Sequence, residues 1–430
     1  MKIAMFTNTY LPHVGGVANS VKTFADEFRA LGHQVKVIAP EFPGAEESTE
    51  DILRVSAIQN FNGSDFSVRL ALPNMISEYL DAFDPDVIHS HHPFLLGDAA
   101  LRVGCNRNIP VVFTHHTLYE NYTHYVPLDS EALKRAAIQL AVEYANLCTA
   151  VIAPSESVER LLQRRGVETP VVAIPTGIDL KRFRCGNGAL FRKRLGISAD
   201  ATVIGHVGRL AEEKNLHYLA DAIGRYLSED PTAVALIVGS GPATESTAAL
   251  LQEWASTERI FMAGKRTGRE LVNAYTAMDL FAFSSHSETQ GMVLAEAMAA
   301  GKPVVALDAP GAREIVCDGV NGRLLPADAS PDQFAAAITS LMKDQTFYDK
   351  AKANVLTTAR QFSKRRSARK TLALYERLAA TFEKADDSEP GATWDRVQRR
   401  IELEWDLLTE KASAAAASFA PTDATEVELA

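Results

Sequence analysis

Cysteine is scarce. The 430 residues hold four, Cys105, Cys148, Cys185 and Cys317, and their wide separation offers neither a metal-ligand pair nor a redox pair. Long apolar runs are absent too: none approaches the ~20 residues that a membrane-spanning helix needs. The opening MKIAMFTNTYLP reads as a strand running into a loop. Its apolar run is short and no small-residue cleavage site follows, so no secretory signal is expected and residence is expected to be cytoplasmic. Positive charge is in deficit. Lys and Arg number 44 against 54 Asp and Glu, a net charge of −10, which argues against nucleic acid as a partner. The first glycine loop reads Val14-Gly15-Gly16-Val17 and lacks the fingerprint G-x-G-x-x-G, so neither a nicotinamide nor a flavin cofactor is expected.

What is present is an ordinary globular composition, 47% hydrophobic and 23% charged. A chain of 430 residues exceeds one core and implies two domains with additions. Charge is uneven: 13 basic residues against 21 acidic in 1–180, 27 against 22 in 181–385, and 4 against 11 in 386–430. The middle section is the basic one, as suits a phosphorylated ligand, and the first shows no strongly basic membrane-binding face.

Strands and helices alternate. Lys2 to Thr7 reads as a strand and Leu11 to Val17 as a glycine loop. A helix follows with Val17, Val21, Phe24, Phe28 and Leu31 at helical spacing, then a strand from Val35 to Ala39. Gly15-Gly16 either lets backbone approach a ligand or makes a simple turn. Buried strands at 86–89 and 110–114 open into histidine-bearing loops. His89, His91, His92, His115, His116 and His124 lack an H-x-x-x-H helix or a cysteine partner, so no metal site is expected. Asp84-Pro85-Asp86 has the D-x-D pattern but precedes its strand and reads as a turn. Pro175 to Ser198 reads as a crossover between domains. A second wound domain then has strands at 203–207, 233–239, 259–263, 280–283 and 303–307, each opening into a loop with glycine, charge or both. Helices are expected at 333–342, 347–359 and 366–384, with a linker from Asp386 to Thr393. Trp394, Val397, Ile401, Trp405 and Leu408 line one face of a last helix, whose mixed charges favour docking on protein over an anionic membrane. Residues 412–430 read as disordered.

The stretch Ser284 to Pro303, SSHSETQGMVLAEAMAAGKP, follows the apolar strand Leu280 to Phe283. A helix from Val293 to Ala300 stops at Gly301, with Pro303 beyond. Glu288, Thr289, Gln290 and Gly291 then lie at the helix mouth, where unpaired N–H groups favour an anion. Glu296, further in, can accept hydrogen bonds from hydroxyls. Spacing alone leaves two readings open, a site for a sugar or ribose diphosphate and a βα unit with solvated glutamates.

Gly208-Arg209-Leu210-x-x-Glu213-Lys214-Asn215, followed by Glu288-Thr289-Gln290-Gly291 and Glu296-Ala297, resembles the retaining family 4 glycosyltransferases of GT-B fold, from the first strand to about Lys384. The resemblance implies an α/β fold of two doubly wound Rossmann-like domains facing a cleft. It implies an acceptor-binding domain at 1–175, a nucleotide-sugar-binding domain at 176–365, helices at 366–411 packing back on the first domain, and a tail at 412–430. Arg209 and Lys214 would hold the donor diphosphate, backed by Gly16 beside Gly15. Glu296 would bind the ribose, and Glu288, with the backbone of Gln290 to Met292, the transferred sugar. Thr289, Gly291, Val293, Gly264 and Lys265 complete the implied donor set.

The run Phe113 to Tyr125 resembles the acceptor-side loop of bacterial diacylglycerol glucosyltransferases, as does Ser287-Glu288-Thr289-Gln290-Gly291. His116 matches the family's active-site histidine, with His115 its competitor; Tyr119, Glu120, Tyr122 and His124 are acceptor-site candidates. The implied activity is retaining, metal-independent hexosyl transfer without a cofactor. UDP-glucose is the favoured donor and a diacylglycerol-like lipid the acceptor, reached by peripheral contact at the inner membrane face. Alternatives are a GDP-mannose-dependent enzyme, a soluble or carrier-linked sugar acceptor, a nucleotide-sugar epimerase, and a non-catalytic nucleotide-sugar-binding module.

Overall fold

The computed structural model describes residues 1–12, 15–42, 48–58, 68–69, 73–118, 131–286, 288–382 and 401–409. Tyr119, Glu120, Tyr122, His124, Ser287, Trp394, Val397, the linker at 386–393 and the tail at 412–430 lie outside them. The chain divides into two compact units, Met1–Thr176 with Ser367–Ala430, and Gly177–Arg366.

The first unit is built on seven parallel strands. They are β1 (Lys2–Phe6), β2 (Gln34–Pro40), β3 (Ile52–Val55), β6 (Val87–Ser90), β7 (Val111–Thr114), β8 (Ala150–Ala153) and β9 (Val171–Ala173), with a short antiparallel pair β4 (Ala57–Ile58) and β5 (Val68–Arg69) set apart. The order across the sheet is β3-β2-β1-β6-β7-β8-β9. Strands buried on both faces need no polar alternation, which is why VVFT and AVIA read as continuous apolar runs. Alternate residues of β1 feed two cores. Ile3 and Met5 join Val21, Phe24 and Phe28 of the Gly16–Ala30 helix and Leu372 and Tyr375 of the Lys364–Ala379 helix. Ala4 and Phe6 join Leu101, Tyr144 and Leu162 on the other side. Periodicity gives no strand at β3, which is four residues long and carries a buried arginine, Arg54. Asp84-Pro85-Asp86 is structural: the Lys2 amide donates to the Asp86 carboxylate at 2.8 Å, and the Asp86 amide to the Lys2 carbonyl at 2.7 Å.

The second unit has six parallel strands, β10 (Thr202–Val207), β11 (Ala233–Val238), β12 (Ile260–Met262), β13 (Leu280–Phe283), β14 (Val304–Leu307) and β15 (Gly322–Leu325), in the order β12-β11-β10-β13-β14-β15. Five of these coincide with expected strands. The edge strand β15, GRLL, is glycine-led and only half-buried, so it carries little apolar signal.

The last helical stretch requires a correction. Ile401, Trp405 and Leu408, expected to dock, are 63%, 71% and 64% exposed. The neighbouring face packs instead: Leu407 is 2% exposed, Leu403 lies against the same core, and Arg102 donates twice to the Glu404 carboxylate at 2.6 and 2.9 Å. A bidentate guanidinium–carboxylate pair is directional, and it selects the face that carries Glu404. Leu407→Ala is therefore expected to cost about 2–3 kcal/mol and Leu408→Ala less than about 0.5 kcal/mol, read from denaturant midpoints.

Candidate active site

In open α/β sheets, ligands settle outside the carboxyl ends of the strands where the order reverses. In the second unit that point lies between β10 and β13, and the loops after these two strands carry Arg209, Lys214 and Ser284 to Gly291. The loops are stitched together. The Asn215 side-chain amide donates to the Ser284 carbonyl at 3.3 Å, and the Ser284 hydroxyl to the Asn215 carbonyl at 3.0 Å. Asn215 adopts the left-handed conformation, φ 53°, between a 3₁₀ turn and the Leu216–Glu229 helix. Across this junction Lys214 Nζ and Glu288 Oε1 form an ion pair at 2.8 Å, with side chains 16% and 23% exposed. Arg209 is exposed on the same β10 loop.

Gly291, at φ +61°, turns the β13 loop into the Met292–Ala299 helix, whose start has no side-chain cap. The positive end of that helix thus faces the loop holding Glu288. A Cβ on Gly291 would stand 2.5 Å from the Gly311 carbonyl oxygen, and one on Gly311, at φ +83°, 2.8 Å from Glu288 Cβ. Only glycine fits either position, and the pair fixes the backbone that presents Glu288.

Glu296 lies on the same helix, where the Tyr275 hydroxyl donates to its Oε2 at 2.8 Å. Burial pushes its carboxyl up to about 7, against the Tyr275 bond and the charge of Arg182, which both lower it. Arg182 also donates to the Gly268 carbonyl at 3.1 Å. Neither Tyr275 nor Arg182 is expected from sequence; Tyr275 sits in an unremarkable helix and meets Glu296 only through folding. Gly264 and Lys265 follow β12. The Gly264 carbonyl accepts from Gly239 N at 3.1 Å, and Lys265 is exposed.

In the first unit, Gly16 opens the helix after β1, with Gly15 as its N-cap. A Cβ at Gly16 would meet nothing within 4 Å, so packing does not require glycine there. The β6 and β7 loops bring buried histidines together. His91 Nδ1 and His116 Nε2 are 2.9 Å apart. His89 Nε2 meets the Thr114 hydroxyl at 2.6 Å, and Tyr375 binds its Nδ1 at 2.5 Å. Burial is the main cause holding His91 and His116 well below the usual imidazole range, and it puts His115 at about 3. All three are neutral at neutral pH. His115 is 2% and His116 8% exposed. Among the described residues, no group of three or more His, Cys, Asp or Glu side chains is placed to hold a metal ion.

The second unit thus offers two cations, a helix N-terminus and two carboxylates around a switch point, a set suited to a diphosphate with hydroxyl-bearing groups at each end. Residues 14–182 match the model of Glycosyltransferase Family 4, and 189–358 that of Glycosyl transferases group 1. The GDP-mannose-dependent alpha-mannosyltransferase of Corynebacterium glutamicum is 31% identical over 80% of this chain and 81% of its own. The chain belongs to glycosyltransferase family 4. This glycosyltransferase is also 28% identical to the alpha-monoglucosyldiacylglycerol synthase of Streptococcus pneumoniae, over 75% of each chain. Its GT-B fold is shared with the sucrose-phosphate synthase of Thermosynechococcus elongatus, with a TM-score of 0.71, 22% identity and coverage of 88% of this chain and 99% of that one. Anabaena HepE, solved in complex with UDP-glucose, superposes with a TM-score of 0.67 at 22% identity, covering 88% of this chain and 100% of that one.

Proposed function

We propose that this glycosyltransferase moves glucose from UDP-glucose to a diacylglycerol-like lipid, with retention at the anomeric carbon and without a metal ion. The observation that carries the donor half is the Lys214–Glu288 pair across the β10/β13 switch point. Without donor, each side chain answers the other's charge. With donor, Lys214 and Arg209 turn to the diphosphate and Glu288 to the sugar hydroxyls, joined by the backbone of Gln290 to Met292, with Val293 next in the helix. Thr289 and Gln290 flank the sugar, Glu296 takes the ribose hydroxyls, Gly264 and Lys265 border the nucleoside, and Gly15-Gly16 admits the diphosphate from the first unit. His116 contacts the transferred sugar, and Tyr119, Glu120, Tyr122 and His124 belong to the acceptor side.

The acceptor oxygen bonds to the anomeric carbon on the face from which the diphosphate leaves. The anomeric C–O bond to phosphate breaks with its electron pair on the β-phosphate, which takes the acceptor's proton. The two cations and the helix N-terminus stabilise that charge as it develops, so no carboxylate pair of glycosidase type is required. The lipid acceptor is supported by the 28% and 30% identical alpha-monoglucosyldiacylglycerol synthases and by Glu288-Thr289-Gln290-Gly291. Among the described residues no helix is long and apolar enough to cross a membrane, so peripheral contact suits a lipid acceptor.

Transfer of labelled glucose from UDP-glucose into diacylglycerol in mixed vesicles, undiminished by EDTA, is the expected result; transfer to soluble sugars alone overturns the lipid reading. The second reading, a GDP-mannose donor, rests on the mannosyltransferase relatives at 30–31% identity. Thermal shift separates the two. UDP at a hundredfold excess over its Kd should raise the melting temperature by about 5 °C or more, and GDP should not.

A further inference from the structure

His116 is a neutral, almost fully buried imidazole, and its chemistry depends on which nitrogen carries its one proton. Heavy-atom positions do not show that proton, but its partners determine it. His116 Nε2 lies 2.9 Å from His91 Nδ1. The ring planes are within 22° of each other and the centroids 5.1 Å apart, close to the largest separation that such a contact between ring atoms allows. The two rings therefore meet edge to edge along a hydrogen bond and are not stacked face to face. Two neutral imidazoles share that bond with one donor and one acceptor.

The other nitrogen of His91 decides between the two arrangements. His91 is 0% exposed, and among the described residues its Nε2 has no hydrogen-bond partner. Were His116 Nε2–H the donor, His91 would have to carry its own proton on that Nε2, a buried N–H with nothing to receive it. Were His91 Nδ1–H the donor, the unmet group would be only a lone pair. An orphaned buried N–H is the rarer and costlier of the two.

Resting on the role proposed above for His116, we propose that His91 is a positioning residue that donates its Nδ1 proton to His116 Nε2 and so fixes His116 as the Nδ1–H tautomer. His116 then carries its one proton on Nδ1 and has its Nε2 lone pair engaged, so any hydrogen bond that its ring donates is made from Nδ1. It orients a sugar oxygen and does not deprotonate the acceptor, in keeping with proton transfer to the leaving phosphate. The rest of the cluster supports this division. His89 is occupied by Thr114 and Tyr375, and His92 Nδ1 accepts the Asn8 amide at 3.0 Å, so that of the three histidines on and just after β6, His91 is the one bonded to His116 Nε2.

The test is a long-range ¹⁵N–¹H correlation spectrum of the full chain with ¹⁵N-labelled histidine, with His116 signals assigned by their loss in His116→Gln. The wild-type spectrum should show His116 Nε2 unprotonated and Nδ1 protonated; a proton on Nε2 overturns the proposal without recourse to any His91 variant. His91→Asn, whose side-chain amide keeps an N–H donor in the Nδ1 place, should preserve that spectrum and turnover within about threefold. His91→Asp offers only an acceptor, so it should draw a proton onto His116 Nε2 and lower kcat about tenfold or more, with the KM for UDP-glucose little changed. Equal spectra for the Asn and Asp variants would also overturn it. Undiminished transfer by His116→Ala would instead overturn the role of His116 in the reaction, a separate result, because the tautomer is read from the resting protein.

Discussion

Glu288→Gln lowers kcat/KM for transfer by about 10²- to 10³-fold while the Kd for UDP changes less than about threefold. The two responses diverge because, on the function proposed above, Glu288 meets two kinds of partner. Toward the sugar it is an acceptor of hydroxyl protons, and an amide of the same shape replaces one accepting oxygen with a donor. Toward Lys214 it is the counter-ion at 2.8 Å, and neutralising it removes a charge that competes with the diphosphate for the ammonium. The loop itself should persist, because Gln keeps the Cβ that packs against Gly311. Steady-state kinetics with isothermal titration of UDP checks both. A fall in UDP affinity as large as the fall in turnover would show that Glu288 only builds the diphosphate site, and the sugar contact would be wrong.

Glu296→Gln has the next largest effect, and it reads differently at each pH. In the wild type, Glu296 is pushed up to about 7 by burial, so a ribose that needs its carboxylate must compete with a proton. UDP-glucose, whose diphosphate does not titrate in this range, should bind up to tenfold more weakly per pH unit below about 7. Glu296→Gln should bind weakly throughout and lose that slope; a wild-type affinity flat from pH 5.5 to 8 would remove Glu296 from the ribose site. Stability runs the other way. The unfolded carboxyl titrates near 4.5, so between there and about 7 the folded state holds a proton that the unfolded chain has released. Its stabilisation is complete below pH 4.5 and is lost as pH rises through 7. Glu296→Gln escapes that loss, at most about 3 kcal/mol. It should match the wild type below pH 4.5 and melt higher at about pH 8.

The βα alternation and the loops proposed to take the donor are legible in the sequence because parallel strands buried on both faces read as apolar runs and the loops at their carboxyl ends carry glycine and charge. The pairing of Lys214 with Glu288 is less legible. Each residue is marked by its motif, but only the adjacency of β10 and β13 brings them together. Tyr275 and Arg182 have no local signal, since a tyrosine in an amphipathic helix is ordinary core until a carboxylate 21 residues away turns toward it. The helix at 401–409 fails for a related reason. Counting aromatic and aliphatic positions selects Trp405, whereas Arg102, some 300 residues earlier, selects Glu404.

The contact between Gly291 and Gly311 bears on how donor choice can evolve. Each glycine occupies space that any side chain would take from the other's loop, so neither position is open to drift and neither loop can shift without breaking its partner. On the reading proposed above, the backbone around the sugar is in effect a constant, and the neighbouring side chains Thr289 and Gln290 are the ones that can change without disturbing the glycine pair. A library randomised at those two positions, with both glycines held, is the smallest mutational space in which a new sugar preference should be found.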